Sequence, residues 1–134
     1  MKDEETVKKV LVLLNDVDPL LNRVTKNKLE KEMGWECIIA VSYDQALTAF
    51  DEQSPDAVIT EILILDYKNR NGISLIADLR AKEKKAKKVP IVIFSEMDGD
   101  HIFEEALESG ATACFSKNKM SLNSLMSELE KIVK

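Results

Sequence analysis

The chain is poor in the residues on which much site chemistry depends. It has 134 residues, with only two cysteines, Cys37 and Cys114, and one histidine, His101. Two cysteines are too few for a disulfide framework or a zinc site, so a reducing, cytoplasmic setting is the expectation. One histidine excludes a His-rich metal site or a histidine dyad. No apolar run approaches the roughly 20 residues that span a bilayer, and the start, MKDEETVKK, lacks the apolar core of a signal peptide. An excess of positive charge is missing too. Nineteen basic residues stand against 24 acidic ones, a net charge of −5. That argues against direct binding to nucleic acid, which calls for a basic stripe. Four glycines and three prolines fall where elements should end. There is no repeat, linker or low-complexity segment.

What is present suits one ordinary domain over 1–134, because 45% hydrophobic residues supply a sizeable core. Val7 to Leu14 reads as a strand interrupted only by Lys8 and Lys9. Asp18-Pro19 reads as an N-cap and first helical residue. Leu21, Val24, Leu29 and Met33 give that helix a buried face, and Gly34 stops it. Trp35 to Val41 is the second strand. Ser42 and Gln45 are spaced as a capping box for a helix burying Ala46, Leu47 and Phe50. Ala57 to Thr60 is the third strand, and Gly72 opens a helix with Leu75, Ile76 and Leu79. Ile91 to Phe94 follows, then a helix marked by Ile102, Phe103, Ala106 and Leu107 and closed by Gly110. Thr112 to Ser116 is the fifth strand, and a helical stripe from Leu122 to Val133 ends the chain. Strands apolar at every position are buried on both faces, as in a parallel sheet covered by crossover helices. The expected fold is a doubly wound α/β sandwich of five strands and five helices. Ligands in such sheets sit at the carboxyl ends of the strands.

Asn15-Asp16-Val17-Asp18, Glu61, Ser95 and Lys117 follow strands one, three, four and five. Singly, each has a plain structural role: Asp18 and Ser95 as helix caps, Lys117 as a solvated lysine. Together they point to a phosphate or metal site.

The stretches VLVLLNDVDPLL (10–21), PDAVITE (55–61), NGISLIADLR (71–80), VPIVIFSE (89–96) and ALESGATACFSK (106–117) resemble the receiver domain of two-component response regulators. The resemblance runs from about residue 7 to the end of the chain. It implies a flavodoxin-like sheet in the order 2-1-3-4-5 and a role in phosphorelay signalling rather than enzymatic turnover. It also implies an aspartate on strand three phosphorylated by a sensor histidine kinase, an acidic pair holding Mg²⁺, a Ser/Thr and a Lys that meet the phosphoryl group, and a downstream protein docked on helix four, strand five and helix five. Ser95 and Lys117 match by position, and Asp16 matches one acid of the Mg²⁺ pair. Val17 falls where the second acid belongs, unless a bulge makes Asn15-Asp16 the pair. The acceptor position, six residues after Pro55, holds Glu61. Cys114 replaces the aromatic switch residue, Lys117-Asn118 replaces Lys-Pro, and the segment ILILDYKNRN before Gly72 is longer than the family usually carries.

These departures bear on the chemistry. Phosphoryl transfer depends on in-line placement and charge neutralisation. Glutamate sets its carboxylate about 1.5 Å further out than aspartate, and a misplacement of about 1 Å can cost on the order of 100-fold in rate. Loss of one acid and displacement of another predict a weak or absent Mg²⁺ site at Asp16 and Glu61. The expectation is an atypical pseudo-receiver with weak or no phosphorylation, acting through protein contacts, in which Glu61 pairs with Lys117. A competing register makes LILD (63–66) a strand and Asp66 the acceptor of a working phospho-receiver. A pure interaction module without site chemistry is the other alternative. A flavodoxin-like cofactor binder is disfavoured because NDVDPLL is acidic where a phosphate loop would be. No output domain is read within these 134 residues, so a partner protein or a longer chain is expected.

Other features have plainer readings. Arg80 to Lys88 carries six basic residues and one acid and reads as the solvated end of helix three. Cys37 and Cys114 fall on opposite sheet edges, about 19 Å apart, too far for a disulfide, and Cys114 reads as a small buried hydrophobe. His101 reads as a surface residue.

Overall fold

The computed structural model describes residues 7–14, 19–83 and 88–133. Asn15, Asp16, Val17, Asp18, Lys84, Lys85 and Lys87 lie outside the described residues, and so do the expected Asp18 cap and the Asp16 Mg²⁺ ligand.

Five strands alternate with five helices: β1 (Lys9–Leu13), α1 (Pro19–Lys31), β2 (Glu36–Ile39), α2 (Tyr43–Gln53), β3 (Ala57–Thr60), α3 (Gly72–Lys82), β4 (Ile91–Ser95), α4 (Asp100–Glu108), β5 (Ala113–Ser116) and α5 (Leu122–Val133). Every pairing is parallel and the order is β2-β1-β3-β4-β5. The expected architecture is therefore the observed one, although β1, β2 and β5 are shorter than the apolar runs suggest.

Strand alternation sorts the core into two layers. Leu11, Leu13, Val58, Ile91 and Ile93 pack on Tyr43, Phe50, Ile76, Leu79 and Ala106 from α2, α3 and α4. Val10, Val12, Ile59, Val92 and Phe94 pack on Leu29 of α1 and on Leu125, Met126 and Leu129 of α5. Each central strand thus has an apolar neighbour above and below. Among the described residues no helix is long and apolar enough to cross a membrane.

Local signals place the helix starts. Ser42 Oγ accepts the Gln45 amide, while Gln45 Oε1 accepts the Val41 amide, so the capping pair reaches back across the first turn. Asn71 and Ser74 form a reciprocal capping box on α3. Gly72 is sterically required there. A Cβ at this position would lie 2.0 Å from the Glu61 carbonyl oxygen and 2.8 Å from Ile62 Cα. The start of α3 therefore rests directly on the end of β3.

Three expectations fail. Val24 is 37% exposed, and the buried stripe of α1 instead runs through Asn22, Thr25 and Leu29. Two polar residues on the inner face leave no hydropathy signal, so the apolar period selects the wrong side. Leu107 is 48% exposed and Ala106 takes the buried position on α4. Arg80 is not part of a solvated end. Its guanidinium donates to the Gly110 and Val89 carbonyls and pairs with Glu83 at 2.8 Å.

Candidate functional site

The sheet positions the site by continuing its ladder one residue past the strands. Glu61 donates its amide to the Leu13 carbonyl at 2.9 Å, and Lys117 donates its amide to the Ser95 carbonyl at 2.8 Å. Both side chains are thereby held at the carboxyl edge, on either side of β4. Lys117 Nζ reaches Glu61 Oε2 at 2.5 Å. Only 5% of the Glu61 side chain and 12% of the Lys117 side chain remain exposed. Glu61 Oε1 accepts the Ile62 amide at 2.9 Å. Both carboxylate oxygens are thus engaged, one by an ammonium and one by the backbone. The expected pairing of Glu61 with Lys117 is present.

Ser95 does not join them. It is buried, and its hydroxyl accepts the Met97 amide at 2.9 Å. Nor does it cap the next helix, since the N-cap of α4 is Gly99. Lys117 is likewise no solvated lysine.

Asp66 stands apart from this group. Residues 63–66 are not a strand; β3 ends at Thr60, so the competing register does not describe this fold. Asp66 lies in the β3–α3 loop, whose ends are closed by the Gly72 amide on the Ile62 carbonyl at 2.7 Å. Its carboxylate accepts the Lys68 and Arg70 amides and both Nε and Nη2 of Arg70. Those bonds, the Arg70 guanidinium first among them, hold the Asp66 carboxyl well below the usual carboxylate range. Arg70 also bonds Asp44 at 3.0 Å and stacks 3.9 Å above the Tyr43 ring, tying the loop to the start of α2. Tyr43 is itself buried, with its hydroxyl on Asp78; burial pushes its pKa up to about 12.

The turn after β5 is pinned by side chains where the resemblance implies proline. Ser116 Oγ donates to Asp98, and Asn118 donates to both Asp98 and the Glu96 carbonyl. The β4–α4 loop and the β5–α5 turn therefore share one polar cluster. Cys114 lies half-buried on β5, its thiol raised to about 11 by burial, and Cys37 on β2 is raised likewise.

Sequence reading missed the Asp44–Arg70–Asp66 latch, the Asp98 cluster and the role of Arg80. The opposite charges of Asp66 and Arg70 at a four-residue spacing were available as a signal, but that spacing has meaning in a helix and this segment is a loop.

Among the described residues there is no cluster of three or more His, Cys, Asp or Glu side chains able to hold a metal, and the Glu61 carboxylate faces an ammonium.

Comparison with known proteins agrees with this architecture. No curated protein matches the chain by sequence. Among solved structures, a two-component response regulator of the LuxR family from Aurantimonas sp. SI85-9A1 superposes with a TM-score of 0.81 at 19% identity, covering 96% of this chain and 86% of that one. The BeF3-activated N-terminal receiver domain of Klebsiella pneumoniae RstA gives 0.79 at 22% identity, over 94% and 98% of the two chains. A CheY-like response regulator receiver domain protein from Methanospirillum hungatei JF-1 gives 0.81 at 18% identity, over 96% and 94%. The family model of the response regulator receiver domain matches residues 12–130. With that match and the observed β2-β1-β3-β4-β5 sheet, the chain belongs to the response regulator receiver domain family of two-component signalling.

Proposed function

We propose that this chain is a pseudo-receiver: one domain over 1–134 that signals through protein contacts without a phosphorylation cycle. The observation that carries the reading is the Glu61–Lys117 contact at 2.5 Å, nine-tenths withdrawn from solvent. In this reading Glu61 occupies the acceptor position and supplies permanent negative charge to Lys117, the charge that a phosphoryl group would otherwise bring. A phosphodonor must approach in line with a free carboxylate oxygen. Here one oxygen is held by the ammonium and the other by the Ile62 amide, which supports slow or absent phosphorylation. Asp66 is equally engaged by Arg70, so the alternative acceptor gains no support. If Mg²⁺ binds, Asp16 and Glu61 are the residues that would hold it, and binding is weak because Lys117 competes for Glu61.

The upstream partner is a sensor histidine kinase or another signalling protein, and the downstream partner is a protein docking on α4, β5 and α5. The Asp98–Ser116–Asn118 cluster supports a fixed shape for that face, because it ties both loops beside it. The role is signalling in the cytoplasm and not catalysis, with no direct nucleic-acid contact.

Intact mass after incubation with Mg²⁺ and acetyl phosphate tests the reading. No phosphoryl gain is expected under conditions that label an ordinary receiver domain. A labile adduct mapped to Glu61 or Asp66 overturns it.

A further inference from the structure

The β3–α3 loop presents an ordered apolar edge that the core does not use. From Ile62 the side chains alternate: Ile62 is buried and Ile64 half-buried, Asp66 turns inward to Arg70, and Leu63, Leu65 and Tyr67 face out. The last three are 66%, 64% and 76% exposed. Meanwhile the main-chain groups of Leu63, Ile64 and Leu65 make no hydrogen bond within the described residues. Exposed alternate side chains beside free main-chain donors and acceptors are what strand addition uses.

The loop is held for this. The Gly72–Ile62 bond closes its base, and Arg70 clamps it through Asp66, Asp44 and the Tyr43 ring. A clamped loop loses little conformational entropy when it binds.

We propose that Leu63–Tyr67 is a docking edge for an extended, apolar segment of a partner protein carrying an acidic residue. Two observations choose this occupant. The three outward side chains expose on the order of 400 Å², within the range of functional patches on monomers. That is about half of the roughly 800 Å² each partner buries in a standard stable interface, so the edge suits a peptide-sized contact better than a second copy of the chain. The unpaired rim charge is positive: Lys68 makes no ion pair with any described residue and lies 5.4 Å from the Tyr67 ring centroid. Arg70, in contrast, is neutralised by Asp66 and Asp44. An acid in the incoming segment meets Lys68. The edge is separate from the α4–β5–α5 face and needs no phosphoryl group, so it stands whether or not the acceptor site works.

The test pans a phage-displayed library of random dodecapeptides on the full chain, then measures the enriched peptides by fluorescence anisotropy. They are expected to alternate apolar and polar residues, to carry Asp or Glu, and to bind at least tenfold more weakly to Leu63→Ser/Leu65→Ser and to Arg70→Ala. Lys68→Glu should reverse the acid preference. N-methylation along one edge of a peptide should abolish binding while the other edge tolerates it. Circular dichroism checks that each variant is folded. Failure to enrich any peptide overturns the proposal, as do equal binding to the serine variant and indifference to N-methylation on both edges. Self-association that depends on Leu63 and Leu65 overturns it by making a second copy the occupant.

Discussion

Removing the Lys117 charge is the sharpest perturbation of the site. At contact distance and an effective dielectric near 20, the Glu61–Lys117 attraction is about 5 kcal/mol. Desolvating both groups offsets most of it, so the pair as a whole adds little net stability. The asymmetry lies in the single variants. Lys117→Met leaves the Glu61 carboxylate buried with only the Ile62 amide as partner, at a cost of about 3 kcal/mol. Glu61→Gln keeps an acceptor for that amide, and the lysine stem, 12% exposed, can swing its ammonium to water. Its cost is about 1 kcal/mol. The double variant should lose only about 1 kcal/mol, giving a coupling energy of roughly 2–3 kcal/mol. Urea unfolding of the four proteins reads this directly, with Trp35, 8% exposed, as the fluorescent probe. The m-values must agree for the comparison to hold. A buried pair should also keep its coupling in 1 M salt. Additive single effects, with coupling below about 0.5 kcal/mol, would show that Glu61 and Lys117 do not depend on each other, and the charge-substitution argument would collapse.

Three further outcomes follow from the geometry. Gly72→Ala should destabilise by more than about 2 kcal/mol, because its Cβ meets the Glu61 carbonyl at 2.0 Å; wild-type stability by the same urea assay would contradict the close packing of α3 on β3. The Asp66 carboxyl is depressed from 3.8, so its stabilisation is present above that pH and is lost as the pH falls through the lower folded value. Wild type and Asp66→Asn should therefore differ in the exchange protection of the Lys68 and Arg70 amides near neutral pH and converge progressively in acid, whereas a constant difference would count against the latch. Both thiols are raised to about 11, so alkylation at pH 7.5 should run at least about tenfold slower than for a free cysteine; rapid labelling of Cys114 would instead mark a reactive group beside the site.

Much of this fold was legible residue by residue. The bounds of β3 read directly from the apolar run, and the observed strand is Ala57–Thr60. Ser42 with Gln45 announced the start of α2, and Gly72 the start of α3. Glu61 and Lys117 were legible as strand-end residues because the sheet delivers whatever follows β3 and β5 to one edge. These are local facts: short-range propensity, caps and apolar runs settle where elements begin, and parallel pairing then brings their ends together.

What the sequence determined by itself, then, was the alternation of elements and the family pattern. Only the tertiary structure decided that Asn22 and Thr25 face inward while Val24 does not, and that Arg80 serves the Gly110 and Val89 carbonyls. It alone decided that Asp66 is spent on Arg70 while Glu61 is held by Lys117, 56 residues away. The physical reason is range. Hydropathy and caps act over one turn or one strand, whereas the partner of a buried charge is chosen by which distant backbone delivers an opposite charge within bonding distance.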